Sequence, residues 1–436
     1  MGRAPLKSQA LRVLLVGSFV FATLAACHSL VGIGDDHFVV GPSEEAGTDA
    51  AGLDPCAHVG PGEPPDASDP GESLPPLVFA VRSANLTGRS DAGTPLGFDL
   101  DGTCTCDSRT GVSRSDPSCV LPPRPLVTMG CDFDGGVDNA LFELNKQIER
   151  VPSASFAYSG TVDRVARCGI LNLLIFLSRY NGKANDDEVE VSLIESFGIR
   201  EPHAVELADE RCGYFVEGGA PRAPYPARFD GTDRWSVPSK SVVRNADGGV
   251  TPLRNVGRAW VKDHRLVFDA RRSDVRTVVP IVFGTQVLET GSPVFSARLV
   301  PLDAAGADIP QGSADTPTAT PAAFRLTDGY FGGRSSIDDV LSRLGALRVD
   351  QAPAPEEEAF LCSPSKALLY QTLKSVVCSA ADLMTDSRDD FKSKKCDALS
   401  MVIQFEASPA LVGEDYDLPA HSAGCGKGFR DSCKAN

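Results

Sequence analysis

The sequence predicts a mainly β fold, an antiparallel sandwich or barrel-like body, followed by a small α-helical, disulfide-rich C-terminal module. Three observations carry this expectation. Short apolar runs bounded by Gly, Pro, Asn or Asp recur through residues 77–303 at the spacing of short strands. Glu188-Val-Glu-Val-Ser-Leu193 alternates strictly between polar and apolar, the period of a half-buried strand. After residue 324 the apolar spacing becomes helical, and five cysteines fall there.

Taken in order, residues 1–26 read as a lipoprotein signal peptide. Arg3, Lys7 and Arg12 form a basic start with no acid, and the apolar run Val13 to Ala26 follows. That run is shorter than the ~20 residues needed to span a bilayer and suits a secretory leader. Leu24-Ala-Ala-Cys27 resembles the lipobox of bacterial lipoproteins. The resemblance implies a diacylglycerol on the Cys27 thiol, cleavage before it and acylation of the new amino group; more than one chain makes such an anchor stable. His28 in place of Asp implies sorting to the cell outer membrane. Residues 27–76 hold ten acids and no Lys or Arg among frequent Pro, Gly, Ala and Ser, and are expected to form a disordered acidic tether.

The β-rich domain is expected over 77–303. Leu77–Val81 and Ile170–Leu177 are apolar runs, and the turn 181–187 joins the second to the alternating strand 188–193 as a hairpin. Further strands are expected at 258–263, 266–269, 277–283 and 294–302. One helix, 139–148, interrupts them, with Asp138 as its N-cap. A Pro/Ala/Thr-rich stretch, 304–323, reads as a linker or long loop. In the module 324–436, helices are expected at 335–347 and 365–384, the second with an apolar face of Leu368, Leu369, Leu373 and Val376.

Apart from Cys27, twelve cysteines remain, an even number that in an exported protein reads as a disulfide framework. Clustering favours local bridges: those from 104 to 131 together, Cys168 with Cys212, and the last five among themselves. Five is odd, so one of them, or Cys56, must pair across a segment boundary. A zinc site at Cys104-Thr-Cys106 is disfavoured, since paired zinc ligands are normally two to four residues apart.

The net charge of −16, with no basic stripe, argues against nucleic acid as a partner. Phe98-Asp-Leu-Asp-Gly-Thr103 matches the DxDGT opening of the haloacid-dehalogenase phosphatases, in which the first Asp attacks phosphorus beside Mg²⁺. Here a loop precedes the motif and Cys-Thr-Cys follows, whereas that chemistry needs the tip of a buried parallel strand. Asp132, Asp134, Asp138 and Glu143 occupy positions 1, 3, 7 and 12 of a loop entering a helix, half of the EF-hand pattern. Together with Asp99 and Asp101 they are the candidate ligands of a calcium ion. The same residues also suit plain exposed turns, and both readings stand. Asp230, Asp233 and Trp235 are the candidate ligand-binding set, an indole beside carboxylates being able to stack on a sugar. Neither HExxH nor G-x-S-x-G occurs, and no complete catalytic constellation is found.

Several strings together resemble a group of large predicted lipoproteins of myxobacteria. They are the lipobox, Gly97-Phe-Asp-Leu-Asp-Gly102 leading into Cys-Thr-Cys, Gly136-Val-Asp-Asn-Ala140 and Tyr180-Asn-Gly-Lys-Ala-Asn-Asp186. Later come Asp230-Gly-Thr-Asp-Arg-Trp235, Gly329-Tyr-Phe-Gly-Gly-Arg334, Cys378-Ser-Ala-Ala-Asp382 and Cys396-Asp-Ala-Leu399. The resemblance covers most of 77–412 and implies the compartment without supplying an activity. The expected role is a non-catalytic, outer-membrane-anchored binder of glycan or an envelope protein, with calcium ordering the acidic loops. The alternative is a secreted metal-dependent hydrolase working through the DxDGT and DxD acids.

Overall fold

A computed structural model describes residues 58–86, 96–105, 116–122, 132–133, 135–149, 164–200, 215–217, 220–222, 225–246, 248–253, 257–279, 288–309, 321–347, 360–417 and 429–433. Among the described residues fifteen strands run in chain order: β1 Leu77–Asn85, β2 Asn172–Ser178, β3 Asp186–Ser196, β4 Phe215–Glu217, β5 Ala220–Arg222, β6 Arg234–Val237, β7 Val242–Arg244, β8 Val250–Pro252, β9 Gly257–Lys262 and β10 Arg265–Asp269 come first. They are followed by β11 Arg276–Val279, β12 Leu288–Leu302, β13 Ala323–Ser336, β14 Ala398–Pro409 and β15 Leu411–Asp415. The α-helices that pack on the sheet are α1 Ala140–Glu149, α2 Ile337–Gly345 and α3 Ala367–Ser379.

The main sheet is antiparallel throughout, in the order β10-β9-β3-β2-β1-β14-β13-β12-β11. β10 also pairs with β12, Phe268 opposite Phe295, so the ladder returns on itself. Eight strands therefore close into a barrel, and closure leaves them no free edge. Alternate residues fill the interior: Phe79, Ile175, Val191, Val261, Phe268, Phe295, Phe331 and Phe405 share one buried cluster. Phe295 and Phe405 stack there at 5.2 Å between ring centres. Buried residues of α1, α2 and α3, among them Leu144, Leu341 and Leu373, join the same cluster. β4 with β5 and β7 with β8 form separate short hairpins.

The β-rich body with a small disulfide-bearing helical region is thus present, and the hairpin around 181–187 pairs β2 with β3 as its alternation requires. The boundary at residue 324 does not divide the fold. β13 and β14 lie in the middle of the main sheet, and the described residues belong to one unit, Gly52–Asn436. The expected helix at 335 begins at Ile337, because Ser335 and Ser336 still pair with Leu399 and Ala398. On α3 the buried side is Tyr370, Leu373 and Val377, and Leu368 is 83% exposed.

The tether expectation also needs correction from residue 58 onward. Val59 N–H bonds Gly135 O (2.8 Å), Asp69 N–H bonds Asn185 O (2.9 Å) and Leu74 N–H bonds Tyr180 O (2.7 Å). The Asp69 carboxylate accepts from Asn185 N–H at 2.8 Å. Few apolar groups are needed to dock this strap, since loops of the barrel satisfy its backbone directly. Residues 27–57 lie outside the described residues.

A buried amide completes the β1–β2 seam. Asn172 Oδ1 accepts from Val81 N–H and its Nδ2 donates to Val81 O, both at 2.8 Å. Asn172→Ala leaves both buried backbone groups unpaired, and we expect a loss of about 1–3 kcal/mol in urea unfolding.

Candidate functional site

The Phe98–Thr103 loop is fixed by its own apolar residues. Phe98 and Leu100 are buried against Val294, Leu383 and Ala398 on the outer side of the barrel, so the alternating Asp99 and Asp101 are held beside them. Asp99 is itself buried. Its Oδ1 accepts from Gly102 N–H (2.6 Å) and its Oδ2 meets Nδ1 of half-exposed His58 (2.6 Å). Asp101 accepts from the N–H and hydroxyl of Thr103, each at 2.9 Å.

The second loop comes in from residues 132–139. Asp138 is buried, and its Oδ2 accepts from Leu100 N–H at 2.6 Å, tying the two loops together. Asp138 is therefore not the helix cap. That role falls to Asn139, whose Oδ1 accepts from Phe142 N–H at 3.3 Å. Gly136 makes the approach possible: it has φ +73°, and a Cβ there would stand 2.9 Å from Thr103 O and 3.3 Å from Asp99 Oδ2.

Carboxylate oxygens of Asp99, Asp101 and Asp138 lie within 4.8 Å of one another. Asp132 is close enough to feel their charge, and its Oδ2 takes Thr105 N–H at 2.6 Å. Asp382 adds a fifth acid: it accepts from Ser400 N–H (2.8 Å) and its hydroxyl, while that hydroxyl accepts from Ala140 N–H at the start of α1 (2.7 Å). Burial, reinforced by the neighbouring acids, drives the carboxyls of Asp132 and Asp138 well above the ordinary range. Burial also raises Asp99, against the pull of His58 and Gly102. The Asp382 carboxyl is pushed up to about 7, again chiefly by burial and against its Ser400 hydrogen bonds.

Two guanidinium groups hold the acidic loop: Arg271 donates to Asp99 O at 2.7 Å, and Arg334 is the buried one. Arg334 is fully buried, forked onto Asp390 (2.7 and 2.8 Å), and donates to Leu100 O (2.7 Å) and Met384 O (3.1 Å). It thus pins the backbone between Asp99 and Asp101 from below.

Of the candidate calcium ligands, the structure gathers Asp99, Asp101 and Asp138, with Asp132 alongside. Glu143 is not among the three, and its carboxylate pairs with Lys146 at 3.0 Å. Asp134 and Cys27 lie outside the described residues. Glu143 thus departs from the half EF-hand pattern, and the three acids that converge come from separate loops. The acidic turn 185–187 is bound to Ser68, Asp69 and Asn181.

The ligand-binding set is not a sugar platform. Trp235 is completely buried in the cluster formed with Ile199, Val237 and Ala410, so no indole face reaches solvent. Asp233 is equally buried and accepts from the N–H groups of Arg228 and Phe229, while Asp230 closes a turn onto Thr232. These acids build a loop.

Sequence reasoning missed His58, Arg334, Asp382 and Asp390. Arg334 and Asp382 do end two of the motif strings, which would have marked them. His58 sits in the segment read as tether.

The bridges follow a mixed pattern. Cys378–Cys433 stays within the C-terminal region as expected, whereas Cys119–Cys396 spans 277 residues and overturns the expectation that Cys119 pairs locally. Cys104, Cys168 and Cys362 are disulfide-bonded too.

No family model, curated protein or solved structure matches the chain.

Proposed function

We propose that the chain is an exported, lipid-anchored binding protein of the cell envelope, whose acidic centre takes a hard divalent cation of the calcium type. The cation would order the loops that present its binding surface. One observation carries the reading: Asp99, Asp101 and Asp138, brought from two loops, aim carboxylate oxygens at a common volume. Buried like charges are unfavourable unless protonated or neutralised by a cation. An all-oxygen donor set suits calcium, which takes six to eight oxygens from carboxylates, carbonyls and water. Asp99, Asp101 and Asp138 would hold it, with Asp132 and Asp382 as flanking charge. Disulfides and the Cys27 lipobox support an oxidising compartment at a membrane. Envelope protein or glycan remains the partner class, with the Trp235 region removed as the glycan surface.

The phosphatase-like alternative finds no comparable support. The DxDGT loop lies against an antiparallel barrel, not at the tip of a buried parallel strand, where that chemistry needs its nucleophile.

Calorimetric titration of the Cys27→Ser chain with Ca²⁺ and with Mg²⁺ tests the proposal. We expect calcium to bind and Asp138→Asn to weaken it at least tenfold. Absence of heat and of any thermal shift with either ion would overturn it.

A further inference from the structure

We propose that the outer wall of the barrel carries an oxyanion site, in which Arg265 and Arg298 together grip one phosphate group. Arg265 of β10 stands directly opposite Arg298 of β12, in the pairing that closes the barrel. Their chain neighbours Leu266, Ala297 and Leu299 belong to the interior cluster, so both guanidinium groups lie on the outer face. Like charges directly opposite one another weaken a sheet. Here nothing in the wall compensates them: among the described residues, neither arginine has a carboxylate within ion-pair distance. Arg265 Nη1 donates to Ser296 Oγ (2.9 Å) and to Asp328 O (3.4 Å). Those bonds fix the guanidinium and leave its Nε and Nη2 without an acceptor. Arg298 makes no hydrogen bond among the described residues.

Summed charge does not select the occupant. Lys262, opposite Arg265 on its other side, adds a third cation, and Asp69, Asp263 and Asp328 add three negative charges nearby. Asp69 and Asp263 act on His264 at the β9–β10 turn, and Asp69 already accepts from Asn185. Asp328 acts on Arg265 without pairing with it. The selection comes from unfilled donors. Burial, and then Arg298, disfavour the charged form of Arg265, a cost that an anion between the two forks would offset. One fork already fills the two oxygens of a carboxylate. A phosphate monoester offers three oxygens and a charge of about −1.5 to −2, enough for both arginines. Tyr330, opposite Ser296 on β13, adds a hydroxyl with no partner among the described residues. Burial and the charge of Asp328 hold that phenol protonated, so it donates.

The test is calorimetric titration of the full-length Cys27→Ser chain with inorganic phosphate and with glucose 6-phosphate, in EGTA so that no divalent cation takes part. Both should bind saturably. Tighter binding of the sugar phosphate marks a phosphorylated glycan as the source of the group, and equal affinities mark free phosphate. Arg298→Gln should weaken both by about tenfold or more. Its ligand-free melting temperature should hold or rise, because a like-charge contact is removed; an arginine that only braced the wall would give the opposite pair of results. Arg298→Lys should recover part of the affinity, since an ammonium is no fork. Tyr330→Phe should weaken binding about threefold with the fold intact. No heat and no thermal shift with either phosphate, heat from glucose equal to that from its phosphate, or an Arg298→Gln chain that binds like the parent would each overturn the proposal. The calcium titration involves none of these residues, so either idea can fail alone.

Discussion

Arg334→Met should destabilise the protein by about 3–5 kcal/mol, a large share of the 5–15 kcal/mol that domains normally have. Its guanidinium satisfies four acceptors at once: both Asp390 oxygens, Leu100 O and Met384 O. Methionine fills similar space but leaves Asp390, whose side chain is 7% exposed, as a buried charge without its partner. Arg334→Lys should fare little better, because an ammonium cannot reproduce a planar fork. The informative comparison is the double variant Arg334→Met, Asp390→Leu. Removing both charges together should recover much of the loss, as replacement of a buried pair by apolar groups often does. Urea unfolding of the three variants provides the measurement. A cost below about 1 kcal/mol for Arg334→Met alone would show that this ion pair is not the keystone between the acidic loops and the segment from Met384 to Asp390.

How much of this was legible follows from the range of each interaction. The strand at 188–193 announced itself by strict alternation, and the helix near 140 by its spacing, because each pattern reports only which face of one element is buried. β13 was missed. Its Gly329-Tyr-Phe-Gly-Gly run lacks alternation, and its pairing with β14 slips register between Leu326 and Gly329. Barrel closure through β10 and β12 and the Cys119–Cys396 bridge join residues far apart in sequence, which no local period encodes. For the site, Asp99, Asp101, Asp132 and Asp138 were all visible as acids in turn-like settings. Glu143, which the loop spacing added to the set, is not among the three acids that converge, because spacing along one loop is not proximity, whereas Gly136 lets the 132–139 loop close onto the 98–103 loop. Trp235 shows the converse error: a rare aromatic among polar neighbours can be completely buried in an apolar cluster.

The same crowding of acids fixes how stability should respond to pH. Without a divalent cation, melting temperature should fall as pH rises from about 4 to 8. Asp382 has its carboxyl pushed up to about 7 in the folded chain, and Asp132 and Asp138 are raised well above the usual range. Between the unfolded value near 4 and these folded values, the native state holds more protons than the unfolded chain, so stability declines with increasing pH. For Asp382 alone the full effect is on the order of 4 kcal/mol, at about 1.4 kcal/mol for each unit between the two values. Calcium should reverse this trend, because the cation replaces the protons as the source of compensation and binds carboxylates only once they ionise. Melts in EGTA and in millimolar calcium at pH 5 and pH 8 should therefore show a small calcium shift at the lower pH and a large one at the higher. Asp382→Asn should flatten the EGTA profile while keeping acceptance from Ser400 N–H. A melting temperature in EGTA that is flat or rises across this range would mean that the five acids carry their charge unaided, and the case for a cation between them would be lost.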